Sequence, residues 1–365
     1  MKKVLVYGMT NLTGGIENYI YNLTKEFRGV FQFDFLIHFE SMAFEKEMRE
    51  NGSQIFYIPG KGQGILTHLR AFFHFLRKHR EYRVIYFNVM DPMVFPTVMA
   101  ARLMGRKCVV HSHNGDMMKS KVQKICRFFL NLAVNQRMSC AQCASEYLFG
   151  KRKRKQTVVI HNKIDTEKYL FDQDVRARKR IELGIEDQFV ICHVGRLTHQ
   201  KNPKGVIDIL AETVKKDKDV ILLSVGTGDM KEEVRQYAKA KHVTERIRFL
   251  GVRQDVNEIM QASDVFILPS FYEGLPIVGI EAQASGLPCL FSDCVTRETD
   301  ITGNCQFLSL DDKARWADEI IRCRGMERNN QGQQVMKHGY DLKHPLDKNI
   351  IRKCLDSKRE KSCGK

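Results

Sequence analysis

Short runs of consecutive apolar residues recur along the first half of the chain, at VLVYG (4–8), FDFLIHF (33–39), IFYIP (55–59), VIYFN (84–88), CVVHSH (108–113) and TVVIHN (157–162). A strand with one wet face alternates apolar and polar side chains, whereas a strand covered on both faces does not need to. The runs therefore predict parallel strands sandwiched between helices, with the intervening segments as crossovers. The second half repeats the pattern at FVICHVG (189–195), VILLSVG (220–226), IRFLG (247–251), VFILPS (265–270) and PCLFSD (288–293). The fold class this predicts is α/β, with two Rossmann-like, doubly wound domains in tandem. A chain of 365 residues is also longer than one core usually organises. The break is expected near 160–185, between KRKRK (151–155) and DQDVRARKR (172–180). That gives a first domain over 1–165, a second over 166–340, and a helix with a basic tail, ending KREKSCGK, over 341–365.

Four expected strand ends carry residues that plain connectors would not need. In GMTNLTGGIENYIYNL (8–23), Gly14 and Gly15 open a helix, where bare backbone N–H groups suit an anion or a sugar hydroxyl. The spacing is not that of a dinucleotide fingerprint. HVGRLTHQKNPKG (193–205) places Arg196 and Lys201 beyond a buried strand, where a guanidinium and an ammonium can converge on one diphosphate. A solvated basic loop would read the same way. SVGTGD (224–229) puts Gly226 in a turn that backbone or nucleotide could approach closely, as an ordinary strand-to-helix turn also would. In FYEGLPIVGIEAQASGLP (271–288), Pro276 fits the first turn of a helix, and the N–H groups of Leu275, Ile277 and Val278 face whatever lies at its start. Glu273 sits in the turn and Glu281 inside the helix. Five helical residues rise about 7.5 Å, too far for one shared proton, so the two carboxylates are expected to grip different parts of one ligand.

Composition changes the picture in two places. The eleven cysteines are odd in number and scattered, which fits reduced, packed thiols better than a disulfide framework. Cys140 and Cys143 form a C-x-x-C with no second pair to complete a zinc site. The net charge of +16 is lopsided: residues 1–165 hold 26 Lys and Arg against 12 Asp and Glu, whereas residues 166–365 hold 33 against 31. A basic first half suits an anionic lipid surface, a phosphorylated ligand or nucleic acid. Two helical stripes lie there: Ile65, Leu69, Phe72, Phe73 and Leu76, and Val122, Ile125, Cys126 and Phe129. Each could rest on a membrane or face the domain core. No run approaches the roughly 18 apolar residues of a membrane span, and MKKVLVYG lacks a signal-peptide pattern, so a cytoplasmic location is expected, with peripheral contact at the inner membrane face. No RNA-binding signature accompanies the charge, which argues against nucleic acid as the partner.

Gly14-Gly15, His113 in HSHN, the GRL…QKN segment and the spaced pair Glu273 and Glu281 together resemble the retaining GT-B glycosyltransferases of family 4. The chain is most similar to the EpsF-like branch of exopolysaccharide and capsule assembly, including at RMSCAQCASEYLFG (137–150). The resemblance spans about residues 1–310 and implies a nucleotide-sugar donor, in all expectation a UDP-sugar carrying a hexose or N-acetylhexosamine, and a saccharide or lipid-linked acceptor. By that resemblance Arg196 and Lys201 bind the donor diphosphate without a metal or other cofactor, and Glu273 holds donor-sugar hydroxyls beside the N–H groups from Leu275 to Val278. Glu281 accepts from the ribose, Gly226 allows close approach, and the Val252 backbone meets the base. Gly15 approaches diphosphate or acceptor, His113 reaches the donor sugar, and Asn162 matches an interdomain asparagine. Lys163 departs from the family there by replacing a glycine. The alternatives are an epimerase or inverting transferase of the same fold, a basic nucleic-acid-binding protein, and a catalytically dead scaffold, the last disfavoured by the presence of Arg196, Lys201, Glu273 and Glu281.

Overall fold

The structure, a computed structural model, describes residues 1–12, 14–115, 120–328, 330–344 and 348–356; the tail KREKSCGK lies outside them. The chain forms two compact units, Met1–Asn162 with the C-terminal segment from Pro345, and Lys163–His344.

In the first unit β1 (Lys2–Tyr7), β2 (Phe31–Ile37), β3 (Ile55–Tyr57), β4 (Val84–Val89), β5 (Lys107–Ser112), β6 (Gln136–Ser139) and β7 (Thr157–Val159) form one parallel sheet in the order β3-β2-β1-β4-β5-β6-β7. Every residue of β4 is buried, as an unbroken apolar run requires in a strand with helices on both faces. One face packs on the helix Gly15–Glu26 through Ile20 and Leu23. The other packs on Ile65–Lys78, Phe95–Leu103 and Lys121–Ala133 through Phe72, Val98 and Leu130.

The second unit has β8 (Phe189–Val194), β9 (Val220–Val225), β10 (Ile247–Gly251), β11 (Val265–Leu268), β12 (Cys289–Ser292) and β13 (Cys305–Leu308), in the order β10-β9-β8-β11-β12-β13. β6 and β13 escape the apolar-run criterion for a physical reason. β6 reads QRMS and buries only Met138 and Ser139, and β13 is an edge strand that buries only Leu308.

The C-terminal helix, set apart with residues 341–365 in the sequence reading, instead completes the first unit. Ile351, Cys354 and Leu355 of Lys348–Leu355 are buried in the core beneath β1 and β2. Asp356 takes Lys2 Nζ at 2.7 Å on its carboxylate and Lys107 Nζ at 2.6 Å on its carbonyl. Eight residues cannot build a core of their own and must borrow one. The segment before it belongs to the second unit, where Ile164 N–H donates to the Tyr340 carbonyl at 2.8 Å and Leu342 N–H to that of Ile164 at 2.9 Å. The described cysteines are all free.

Candidate active site

β8 lies between β9 and β11, so the strand order of the second sheet reverses there. The loops leaving β8 and β11 therefore flank the switch point at which open α/β sheets bind ligands. The first loop carries Arg196 and Lys201, the second Glu273, and a seam of hydrogen bonds ties them together. Phe271 N–H donates to the Gln200 carbonyl at 2.9 Å, Asn202 Nδ2 to the Pro269 carbonyl at 3.0 Å, and Gln200 Nε2 to the Tyr272 carbonyl at 3.1 Å. The result is an ion pair, Lys201 Nζ to Glu273 Oε1 at 2.6 Å, with both side chains largely buried. Sequence reasoning gave these residues separate tasks; the fold makes them one unit. An ammonium has three donors, so a bond to Glu273 leaves two for a further acceptor. Arg196 is exposed and carries no side-chain bond to another described residue. His193 lies buried nearby, and burial followed by the charge of Lys201 lowers it to about 3.

Two glycines let the loops after β8 and β9 touch through backbone alone. Gly226 has φ +125°, and a Cβ there would stand 2.1 Å from the Gly195 carbonyl oxygen. One on Gly228 would stand 2.4 Å from that of Leu197. An ordinary turn does not need this closeness, so the SVGTGD turn is built to lie on the backbone of Gly195 and Leu197. Gly226 N–H also donates to the Gly251 carbonyl at 2.8 Å, which places the exposed Val252 next in line.

The helix after β11 runs Ile277–Ala284, with Pro276 outside it as the N-cap in extended conformation rather than in its first turn. Gly279 N–H is taken by the Pro276 carbonyl at 2.9 Å. The helix start thus presents Ile277 and Val278 N–H, while Leu275 precedes it and is buried. Glu281 lies within the helix, and its carboxylate faces Tyr169, a residue sequence reasoning missed. Burial raises Glu281 to about 7, with the nearby Tyr169 hydroxyl pulling the other way. No sequence signal links positions this far apart.

The remaining predicted residues belong to the first unit. Gly15 is the first residue of its helix, and Gly14 caps it without a side-chain bond. The buried Glu17, also missed, accepts from Thr10 N–H at 3.2 Å and Thr10 Oγ1 at 2.8 Å, which ties the loop after β1 to the helix start. Its position in the first turn, where carboxylates are favoured, was the available signal. His113 donates from Nε2 to Asn88 Oδ1 at 2.9 Å, and Nδ1 is buried without a partner. Burial lowers His113 to about 3, so the ring is neutral with Nδ1 free to accept. Against it the His111 ring lies tilted by 33° with its centroid 4.0 Å away, held by Tyr86 OH at 2.5 Å, itself 3.2 Å from Tyr19 OH. His111 thus has a structural position. Asn162 is buried with Oδ1 unpartnered. Lys163, where the motif departs from the family, bonds the carbonyl of His344 and braces the segment that returns to the first unit.

Two D-x-D spacings occur in the chain, and the fold occupies both with local capping. Asp172 caps Gln173–Leu183 by accepting from Asp174 and Val175 N–H at 2.8 and 3.1 Å. Asp217 accepts from Asp219 N–H at 2.9 Å and pairs with Arg324.

A cation and a carboxylate joined at a switch point, with a second carboxylate behind a helix start and glycine turns beside them, mark the place in the second unit where open α/β sheets take their ligands. Two doubly wound α/β units in one chain are the GT-B architecture. Residues 175–320 match the family described as Glycosyl transferases group 1, and residues 13–168 match Glycosyltransferase Family 4. The chain is 30% identical over 346 residues to EpsF of Bacillus subtilis (strain 168), a glycosyltransferase by name, covering 90% of each chain. It is 30% identical over 234 residues to the UDP-Gal:alpha-D-GlcNAc-diphosphoundecaprenol alpha-1,3-galactosyltransferase of Escherichia coli, covering 60% of this chain and 59% of that protein. Among solved structures, Anabaena HepE with UDP and glucose superposes with a TM-score of 0.79 at 19% identity, over 97% of this chain and 99% of that one. The protein belongs to glycosyltransferase family 4 and is a glycosyltransferase of the EpsF-like kind.

Proposed function

We propose that the protein is a retaining transferase that moves a hexose or N-acetylhexosamine from a UDP-sugar to a lipid-linked saccharide, in exopolysaccharide or capsule assembly at the inner face of the membrane. The observation that carries this reading is the Lys201–Glu273 pair at the switch point, with Glu281 behind the helix start on the same unit. A diphosphate fits Lys201 and Arg196, sugar hydroxyls fit Glu273, and ribose hydroxyls fit Glu281. UDP in the related fold of HepE and the UDP-galactose and diphosphoundecaprenol chemistry of the Escherichia coli relative support the donor and acceptor classes.

In this mechanism the acceptor oxygen bonds to the anomeric carbon while the bond from that carbon to the donor phosphate breaks. The acceptor's proton passes to the departing phosphate on the same face, which preserves configuration without a carboxylate nucleophile. Arg196, Lys201 and the N–H groups of Ile277 and Val278 take up the charge that develops on the diphosphate. Asn162, Val252, Gly15 and His113 keep the interdomain, base, acceptor-side and sugar-side roles that the resemblance implies. A thermal-shift screen across nucleotide sugars, followed by NMR of the product's anomeric centre, tests the reading. Stabilisation by UDP-sugars with retained configuration is expected; an inverted product or no nucleotide response refutes it. Side-chain cations at the diphosphate also mean that EDTA leaves activity intact, and loss of activity on chelation refutes that assignment.

A further inference from the structure

Of the two amphipathic stripes in the basic half, the first is divided, with Phe72 and Leu76 buried and Ile65 and Phe73 43% and 47% exposed. The helix Lys121–Ala133 turns a wider apolar face outward. Cys126, Leu130 and Ala133 face the core, whereas Val122, Ile125, Phe128, Phe129 and Leu132 are each 40–61% exposed. At 3.6 residues per turn these five side chains share an arc of about 120° on the outward side. Met93, 50% exposed, extends the patch, with its sulfur 3.4 Å from that of Cys126, and Phe95 packs on Phe129 at 5.7 Å. A soluble helix would put polar residues on this arc, and so large an apolar stripe marks an interaction surface.

The charges bordering the stripe select the partner. Lys121 falls just inside one side of the arc and Lys124 and Arg127 lie beyond it on that side, and the helix contains no Asp or Glu. Arg127 comes within 3.8 Å of where a Cβ on Gly150 would sit, and Asn131 Nδ2 bonds the Phe149 carbonyl at 3.1 Å. The basic edge therefore runs on into Lys151–Gln156, which carries five cations in succession. Glu146 beside them faces Arg154 at 3.9 Å. The N-terminal turn of the helix is fixed to the sheet end, where Gln123 Nε2 donates to Asp91 Oδ2 at 2.9 Å and Tyr147 OH to the same oxygen at 3.0 Å. A rigidly mounted helix with an apolar outer arc and a cationic border has the form that lies in a bilayer interface, apolar side among the acyl chains and cations level with the phosphates.

We propose that this outer face of Lys121–Ala133, with the basic segment Lys151–Gln156, is the surface by which the protein docks on an anionic lipid bilayer. The proposal deepens the membrane part of the function given above, and it fixes which side of the first unit meets the lipid. Docking there holds the loop after β4 at the height of lipid headgroups, because Asp91 lies in that loop and joins the helix to it.

The test uses the full chain and vesicles of phosphatidylcholine with or without phosphatidylglycerol, at low and high salt, read by co-sedimentation. Binding to anionic vesicles that salt weakens is expected. Lys121→Gln, Lys124→Gln and Arg127→Gln together should lower the partition coefficient roughly 100-fold, from about a factor of five per basic side chain at an anionic surface. Ile125→Ser, Phe128→Ser and Leu132→Ser should lower it roughly tenfold or more per side chain. Phe128→Trp gives a reporter that survives any loss of folding in the multiple variants, since the single native Trp316 is fully buried. Its emission should shift to the blue with anionic vesicles only. Equal binding to neutral and anionic vesicles, no binding, or an unshifted Phe128→Trp emission overturns the proposal. So does a dimer in sedimentation velocity that the Ser variants abolish while vesicles are ignored. UDP binding measured on the same samples separates the two readings: intact UDP binding without vesicle binding sinks the docking surface alone, and the converse sinks the donor site alone.

Discussion

Glu281→Gln keeps the shape of the side chain and its polar group beside Tyr169 but removes the ionisation. In the folded protein burial raises this carboxyl to about 7, against an ordinary 4.5. The gap corresponds to about 3 kcal/mol. The unfolded chain releases the proton near 4.5 and the folded one only near 7, so the carboxyl's contribution to stability is complete below pH 4.5 and is lost as pH rises through 7. The amide carries no such loss. Relative to the parent, the variant should therefore gain stability across this window and level off above it, about 3 kcal/mol ahead, or roughly 6–12 °C in the transition of a unit this size. Calorimetry of both proteins from pH 5 to 8 measures the difference. Taking the difference cancels shared titrations such as His193, whose lowered value removes stability as pH falls below 6.5. UDP binding provides the second arm. Ribose hydroxyls donate to a carboxylate, and loss of charged acceptor bonds worth about 1.5–3 kcal/mol should weaken UDP roughly 10–100-fold at pH 8. Below pH 7 the parent must first give up its proton, so the ratio of the two dissociation constants should shrink, with UDP's own titration common to both. A stability difference that stays constant from pH 5 to 8, or an affinity ratio that does not move, refutes the reasoning.

Other perturbations separate the remaining parts of the site. Gly226→Ala meets both φ +125° and a carbonyl at 2.1 Å, and should abolish UDP binding with a cost of about 3 kcal/mol or more, whereas Gly184→Ala, with φ +62° and open space, should cost about 1 kcal/mol. Lys201→Met and Glu273→Gln each leave one buried charge alone, at about 3–5 kcal/mol, and the double variant should be more stable than the sum; additivity in denaturant melts would show that the pair does not form. His113, lowered to about 3, stays neutral from pH 5 to 8, so the rate profile should show no limb near 6.5 from it. His113→Ala should cost roughly 100-fold in turnover, the scale of one positioned hydrogen-bonding group, and a limb in the parent that vanishes in this variant would reverse the assignment.

The sequence alone carried the two-sheet architecture, because strands buried on both faces must be apolar at consecutive positions, as β4 and β8 are. It also placed Arg196, Lys201, Gly226 and Glu273 in the loops that leave strands, and Glu281 inside the helix that follows β11. Tertiary structure alone decided the partnerships. Lys201 meets Glu273 across 72 positions only because a seam of backbone bonds joins two loops of one sheet. Tyr169 reaches Glu281 only because a short helix, Thr166–Tyr169, packs against the one that follows β11. Edge strands such as β13 were hidden because an edge buries too little to demand an apolar run. The helix Lys121–Ala133 shows the limit most plainly: its periodicity announced an apolar stripe, but a period of 3.6 does not say which arc meets the core. Leu130 and Ala133 pack inward because the sheet lies there, and that placement alone leaves Ile125, Phe128 and Leu132 facing out.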